Sequence, residues 1–254
     1  MNRKLVFLGL WTLASLLALL WPGEPVLPRS LHWGYDAFGR NLALLTLKAS
    51  GSSLILSAIS LAITIAASFV LSLAASLGPR PARFLIKRTL ELWLSVPSIL
   101  LALCVAALTG PGWSTLVLSL CVGLTPSFTR LLLARADEIS KETYTLASRA
   151  LGGTWFNLAR HHYLKPLLAF GSIKFPNLFA AALASEAALS FMGIGAPTGV
   201  DTWGLLLSQA RDYLIEAPHI AFIVGTPLCL IIFALQQISE ERFQSLPSSV
   251  RLSE

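Results

Sequence analysis

Charged residues fall in clusters along this chain and leave long apolar stretches between them. From Ala49 to Pro79, 31 consecutive residues carry no Asp, Glu, Lys or Arg, and Leu92 to Thr129 gives 38 more. About 18 such residues already cross a ~30 Å hydrocarbon core as a helix. Strands of a membrane barrel would alternate apolar and polar side chains, and the continuous run Leu54–Leu77 does not. Lipid offers the backbone no hydrogen-bond partner, so helices remain. The pattern predicts an all-α integral membrane protein with six transmembrane helices: about Leu5–Trp21, Ser52–Ser76, Leu85–Leu108, Ser114–Leu133, Leu167–Ile194 and His219–Ile238. The 38-residue run is folded into the third and fourth spans at Thr109-Gly110-Pro111-Gly112-Trp113, where Pro and Gly mark a turn. Arg3 and Lys4 precede the first span and no small-x-small cleavage site precedes Pro22, so it reads as a retained helix rather than a signal peptide.

The same pattern divides the chain. Residues 1–50 hold the first span and an external segment, 51–240 the core of spans, and 241–254 a tail. Two connections exceed a turn, one at about 134–166 and one at about 195–218, and long connections in compact proteins are commonly functional. No internal repeat is visible. Fourteen of the 19 Lys and Arg residues fall on one side if the chain starts in the cytoplasm. By the positive-inside rule both termini are then cytoplasmic, with the 134–166 segment inside and the 195–218 segment outside.

Composition narrows the chemistry. Apolar residues are 55% and charged residues 13%, about half the charge of a soluble domain. The net charge of +6 is accounted for by topology, without nucleic acid. Cys104, Cys121 and Cys229 all lie in apolar runs with no C-x-x-C pair, which argues against a disulfide framework or a thiolate metal site. No Gly is followed by Lys, so the chain lacks the phosphate-cradling G-x-x-x-x-G-K-[ST] loop. Gly193-Ile194-Gly195 has no third glycine to make a dinucleotide fingerprint, and His161-His162 are adjacent, pointing in different directions on a helix. No metal site, cofactor or catalytic set is expected in this chain, and any energy source lies elsewhere.

Ser140–Gly153 reads as a short amphipathic helix with Ser140 as N-cap and Gly152-Gly153 as its stop. Tyr144, Ala147 and Leu151 share a face flanked by Leu146 and Ala150, while Lys141, Thr145 and Ser148 take the other side. Such a helix either lies on the membrane surface or docks in a partner's groove, and the residues alone leave both open.

The pattern Tyr144-x-x-Ala147-x-Arg149-Ala150-Leu151-Gly152, followed by Arg160 and Pro166, resembles the EAA loop of ABC importer permeases, in particular the dipeptide, oligopeptide and nickel subfamily. Four further boxes stand in that family's order. Gly34–Asn41 resembles G-T-D-x-x-G-R-D, Glu91–Ser98 resembles D-x-L-L-S-I-P, Glu186–Gly195 resembles E-A-S-L-S-F-L-G-L-G, and Thr202-Trp203-Gly204 resembles S-W-G. Leu146 stands where the family's motif Glu is common, Tyr163 in its usual His place, Asn41 in place of an Asp, and Gly51 in place of the Arg of G-A-R-x-S-L.

The resemblance implies a type I permease subunit of a binding-protein-dependent importer in a bacterial inner membrane. Its implied partners are a homologous second permease, two ATP-binding subunits that hold ATP and Mg, and an external substrate-binding protein. The solute is expected to be a short peptide, with nickel or a metal chelate as the alternative. An ion-gradient-driven secondary transporter is the rival from another class, and it would favour internal repeats. The resemblance assigns docking on the ATPase to Tyr144, Ala147, Arg149, Ala150, Leu151 and Gly152.

Charges near the membrane supply the remaining candidates, because an ionisable group inside a span is costly. Glu186, with Ser190 one turn on, either lines the path or permease interface or holds the end of the fifth span through hydrogen bonds. Glu91, at the start of the third span, is the other path candidate, with local pairing to Lys87 or Arg88 as its alternative. Asp36, Arg40 and Trp203 mark the external segment, where Asp36 and Arg40 cap a helix or face the binding protein.

Overall fold

The computed structural model describes residues 3–21, 34–36, 39–194 and 200–245. Its elements are α1 (Arg3–Leu19), α2 (Leu42–Leu77), α3 (Arg80–Leu94), α4 (Ser98–Thr109), α5 (Trp113–Ile139), α6 (Thr143–Ala150) and α7 (Trp155–Leu158). A π-helical turn at Ala159–Tyr163 leads into α8 (Leu164–Phe191), followed by α9 (Trp203–Asp212) and α10 (Pro218–Gln244). Among the described residues four helices are long and apolar enough to span a membrane: α2, α5, α8 with the segment leading into it, and α10. α1 is a shorter apolar helix.

The third predicted span, Leu85–Leu108, is not one helix. It consists of α3 and α4, bent by 90° at a short break. Pro97 explains the break: it lacks an N–H, and it disfavours helical backbone at the residue before it. α3 also starts earlier than predicted, at Arg80, and carries most of the charge of this stretch (Arg80, Arg83, Lys87, Arg88 and Glu91). If the bent pair counts as one span, the long spans number five. Positions 50/51 lie within α2 and positions 240/241 within α10.

α2 is the central element. Ser50, Ser53, Ser57, Ser60, Thr64, Ser68, Ser72 and Ser76 recur every three or four residues and are buried along one face. Small side chains let neighbouring helices approach where lipid gives no hydrophobic drive to associate. Three of them, Ser50, Ser60 and Ser72, donate back to carbonyls of their own helix, as Ser60 does to Leu56 at 2.9 Å, while Ser68 reaches the Thr125 carbonyl of α5 at 3.3 Å. Gly51 serves the same close packing: a Cβ there would stand 2.8 Å from Leu19 and 2.9 Å from the Ser15 carbonyl of α1. Leu10, Leu13 and Leu17 of α1, Ile63 and Val70 of α2, and Phe222 and Phe233 of α10 are exposed, as side chains facing lipid would be.

Candidate functional site

Two ends of α8 carry the candidate residues. At its start lies the 134–166 connection. α6 begins after Glu142 rather than Ser140, whose hydroxyl instead donates to the Asp137 carbonyl at 2.6 Å. Gly152 has φ +80, a backbone that glycine adopts without penalty, and the Gly153 N–H closes the helix by donating to the Ser148 carbonyl at 2.9 Å.

The two faces of α6 are turned opposite to the usual sense. Thr145 is fully buried against the rest of the chain. Tyr144, Leu146, Ala147 and Ala150 are exposed, and Leu151 just beyond is 89% exposed. An amphipathic helix ordinarily buries its apolar stripe. Here the polar side packs inward and the apolar side is displayed. Trp155 and Phe156 of α7 are exposed as well, at 67% and 56%.

Arg149 is exposed, and its Nη2 donates to the Tyr163 hydroxyl at 3.0 Å. The Tyr144 and His162 rings meet with centroids 5.6 Å apart. His161 bonds through Nδ1 to the Asn157 carbonyl, and no group of three His, Cys, Asp or Glu residues suited to a metal occurs among the described residues.

At the far end of α8 the arrangement closes on itself. Glu186 and Ser190 are fully buried, and the Ser190 hydroxyl donates to Glu186 Oε1 at 2.8 Å. The hydroxyls of Ser53 (α2) and Thr202 face the same carboxyl. Ser53 Oγ accepts the Trp203 N–H at 3.0 Å, and Thr202 Oγ1 caps α9 by accepting from Leu205 N. Each hydroxyl therefore uses a lone pair on the backbone and keeps its one O–H to give to the carboxyl. The carboxyl also sits before the N-terminus of α9, where the helix dipole favours an acceptor.

Trp203 is fully buried in the core shared by α2, α8, α9 and α10. Gly204 lets α9 touch α8, since a Cβ there would lie 2.2 Å from the Ala187 carbonyl oxygen and 2.6 Å from Ser190 Cβ. Thr202-Trp203-Gly204 thus supplies a cap, a core side chain and a point of contact. These placements bury Glu186 and Ser190 between α8, α2 and the start of α9.

The segment before α2 is tied to the same end. Asn41, not Asp36, caps α2, its Oδ1 accepting from Ala43 N and Leu44 N at 3.0 and 3.2 Å. Asn caps a helix as Asp does. Asp36 is buried and accepts from the Arg40 backbone N–H and Nε, both at 2.7 Å. Arg40 continues to Gln209 of α9 at 3.3 Å and to Asp201 at 3.8 Å. The pair clamps α9 to α2. Ala37 and Phe38 of this box, and Gly195 of the Glu186 box, lie outside the described residues.

Glu91 stands apart from all of these. It pairs locally with Arg88 at 2.8 Å, both side chains nearly two-thirds exposed. It borders an open cavity of about 470 Å³ with Lys87, Ser95, Arg130 and Asp137, in which Lys87 bridges α3 to α5 through Asp137 at 2.8 Å. A second, uncharged cavity of about 270 Å³ lies between α4, α5 and α8, lined in part by Ser98, Ser119, Gly123 and Ser185. Sequence reasoning had singled out neither Ser53 nor the serines of this cavity.

Residues 68–245 match the family model described as the binding-protein-dependent transport system inner membrane component. The dipeptide transport system permease protein of Alkalihalophilus pseudofirmus is 30% identical over 84% of this chain and 70% of its own length. The di/tripeptide transport system permease protein of Pseudomonas aeruginosa is 29% identical, covering 82% of this chain and 68% of its own. The glutathione transport system permease protein of Pectobacterium atrosepticum is 27% identical, with coverage of 84% and 71%.

Proposed function

The chain belongs to the family of inner-membrane components of binding-protein-dependent transport systems, and from that premise we propose that it forms half of the pathway of an ATP-driven importer for short peptides. Dipeptide, di/tripeptide and other peptide permeases among its relatives support that solute class over nickel. A homologous permease supplies the other half, two cytoplasmic ATP-binding subunits drive the cycle, and an external binding protein delivers the solute. Both termini and α6 lie in the cytoplasm, and α9 lies on the outer side.

In this reading α6 is the coupling helix. Tyr144, Ala147, Arg149, Ala150, Leu151 and Gly152 form the surface that seats on an ATPase, and movement of the ATPases swings the spans between outward-open and inward-open states. One observation carries this: α6 buries its polar Thr145 and displays its apolar side. Internal packing leaves that side uncovered, and a groove in a partner would cover it. The chain contributes the path and the lever, while hydrolysis belongs to the partners.

The test uses Ala150→Arg and Gly152→Asp. Either charge, buried unpaired in a packed groove, costs a few kcal/mol, or about a hundredfold in association. Both variants are expected to insert normally and to lose co-purifying ATPase and peptide uptake together. Wild-type recovery and uptake in both would remove α6 from the coupling role.

A further inference from the structure

The surface that docks need not be the part that transmits. α6 meets the rest of the chain through few groups, and one of them is unusual. Tyr163 is fully buried, its ring packed among Leu61, Phe128, Leu132, Ile139 and Leu167 of α2, α5 and α8. Its hydroxyl, at the edge of this packing, accepts from Arg149 Nη2 at 3.0 Å. One end of the side chain is fixed in the bundle and the other is held by α6.

Tyr163 also closes the π-helical turn, Ala159–Tyr163, on which α8 begins. A π turn inserts a residue into the helical ladder and is commonly found at functional sites. The chain between α6 and α8 otherwise offers only the four-residue α7 and the glycine pair 152–153, with Gly152 in the left-handed region. A lever attached through such a segment alone would swivel without moving α8. The Tyr144–His162 ring contact, one residue before Tyr163, braces the same junction.

We propose that the Arg149–Tyr163 hydrogen bond is the link that makes α6 and the base of α8 move as one body, so that Tyr163 is a positioning residue for transport. This rests on α6 being the coupling helix. Arg149 thereby has two tasks: it is an exposed residue of the proposed docking helix, and its guanidinium holds the pin. The bond has a charged donor, and losing such a bond weakens the linked arrangement by about tenfold or more.

The experiment uses the purified complex of this permease with its ATPase and permease partners. Spin labels are placed at Glu142→Cys, exposed at the start of α6, and Leu168→Cys, exposed on α8, with the three native cysteines replaced by alanine. In the parent the inter-label distance distribution stays narrow with and without ATP. Tyr163→Phe keeps the ring in its packing and removes only the hydroxyl. It is expected to broaden the distribution and lower uptake of radiolabelled dialanine per ATP hydrolysed by about tenfold, while ATPase recovery stays at the parent level. Adding Arg149→Ala to Tyr163→Phe should broaden it no further.

A Tyr163→Phe complex as narrow and as well coupled as the parent would overturn the link. So would loss of ATPase from Tyr163→Phe, which would make the residue part of docking. Failure of the docking reading is seen separately, as undiminished ATPase recovery in Gly152→Asp, and it would take the link with it.

Discussion

The two ends of α8 are built on opposite principles. At the α9 end, Glu186, Ser190, Ser53, Thr202, Trp203 and Gly204 are buried, and Ser190 and Ser53 find hydrogen-bond partners within the chain in Glu186 Oε1 and the Trp203 N–H. At the α6 end, Tyr144, Leu146, Leu151, Trp155 and Phe156 are exposed, and Thr145 is the buried residue of the helix. A helix of eight residues has little stability of its own. One end is complete as folded, and the other is shaped for a second surface. Mutations should therefore act on stability at the α9 end and on assembly at the α6 end.

The largest effect on the chain by itself is expected at Gly204. Gly204→Val would drive its side chain into the Ala187 carbonyl and Ser190, both backbone-anchored neighbours. Overpacking of that kind costs about 3 kcal/mol, read as a large fall in the thermal midpoint of the chain in detergent. An unchanged midpoint would mean that α9 does not seat on α8 as described.

Glu186 comes next. Glu186→Ala removes the acceptor toward which Ser190, Ser53 and Thr202 turn their hydroxyls, at a cost of about 2 kcal/mol. Glu186→Gln keeps one acceptor oxygen in the same place and should cost about half as much. Thermal midpoints in the order wild type, Gln, Ala would support a packing role. If Gln is as stable as wild type yet blocks uptake, the carboxylate itself takes part in transport. Asn41→Ala is the smallest of the series, losing the cap of α2 at about 1 kcal/mol with assembly intact.

The contrast between the ends was only half legible in the sequence. Apolar runs located α2, α5, α8 and α10 because hydropathy and length are what a membrane selects. They misplaced the start of α2 by ten residues, since the charge-free run begins only at Ala49, whereas the helix continues through Lys48 back to the cap at Asn41. The bend at Ser95-Val96-Pro97 was present as a signal, but the unbroken lack of charge around it favoured one straight span. α9 lay hidden in the 195–218 connection, where ten residues of mixed polarity carry no spanning signal and only Thr202 hints at a cap.

The candidate site shows the same limit. Periodicity gave α6 two faces and no indication of which one turns inward, because both packing within a chain and packing on a partner bury apolar side chains. Glu186 could be recognised as an expensive residue in a span. Its partners come from α2 and from the start of α9, 133 positions before it and 16 after it, and only the fold brings them together. Tyr163 stands out in the sequence as a departure from a motif, and its bond to Arg149, 14 positions before it, is visible only in the fold.

Backbone hydrogen exchange compares both ends in one measurement. Amides of 143–153 and 203–212 are followed in the chain alone in detergent and in its complex with the ATP-binding subunits. The account predicts slow exchange at 203–212 in both states, and at 143–153 a slowing of about tenfold or more only on assembly. Equal protection of 143–153 in the isolated chain, or an assembly effect at 203–212 in its place, would contradict the claim that α6 is the end left open for a partner.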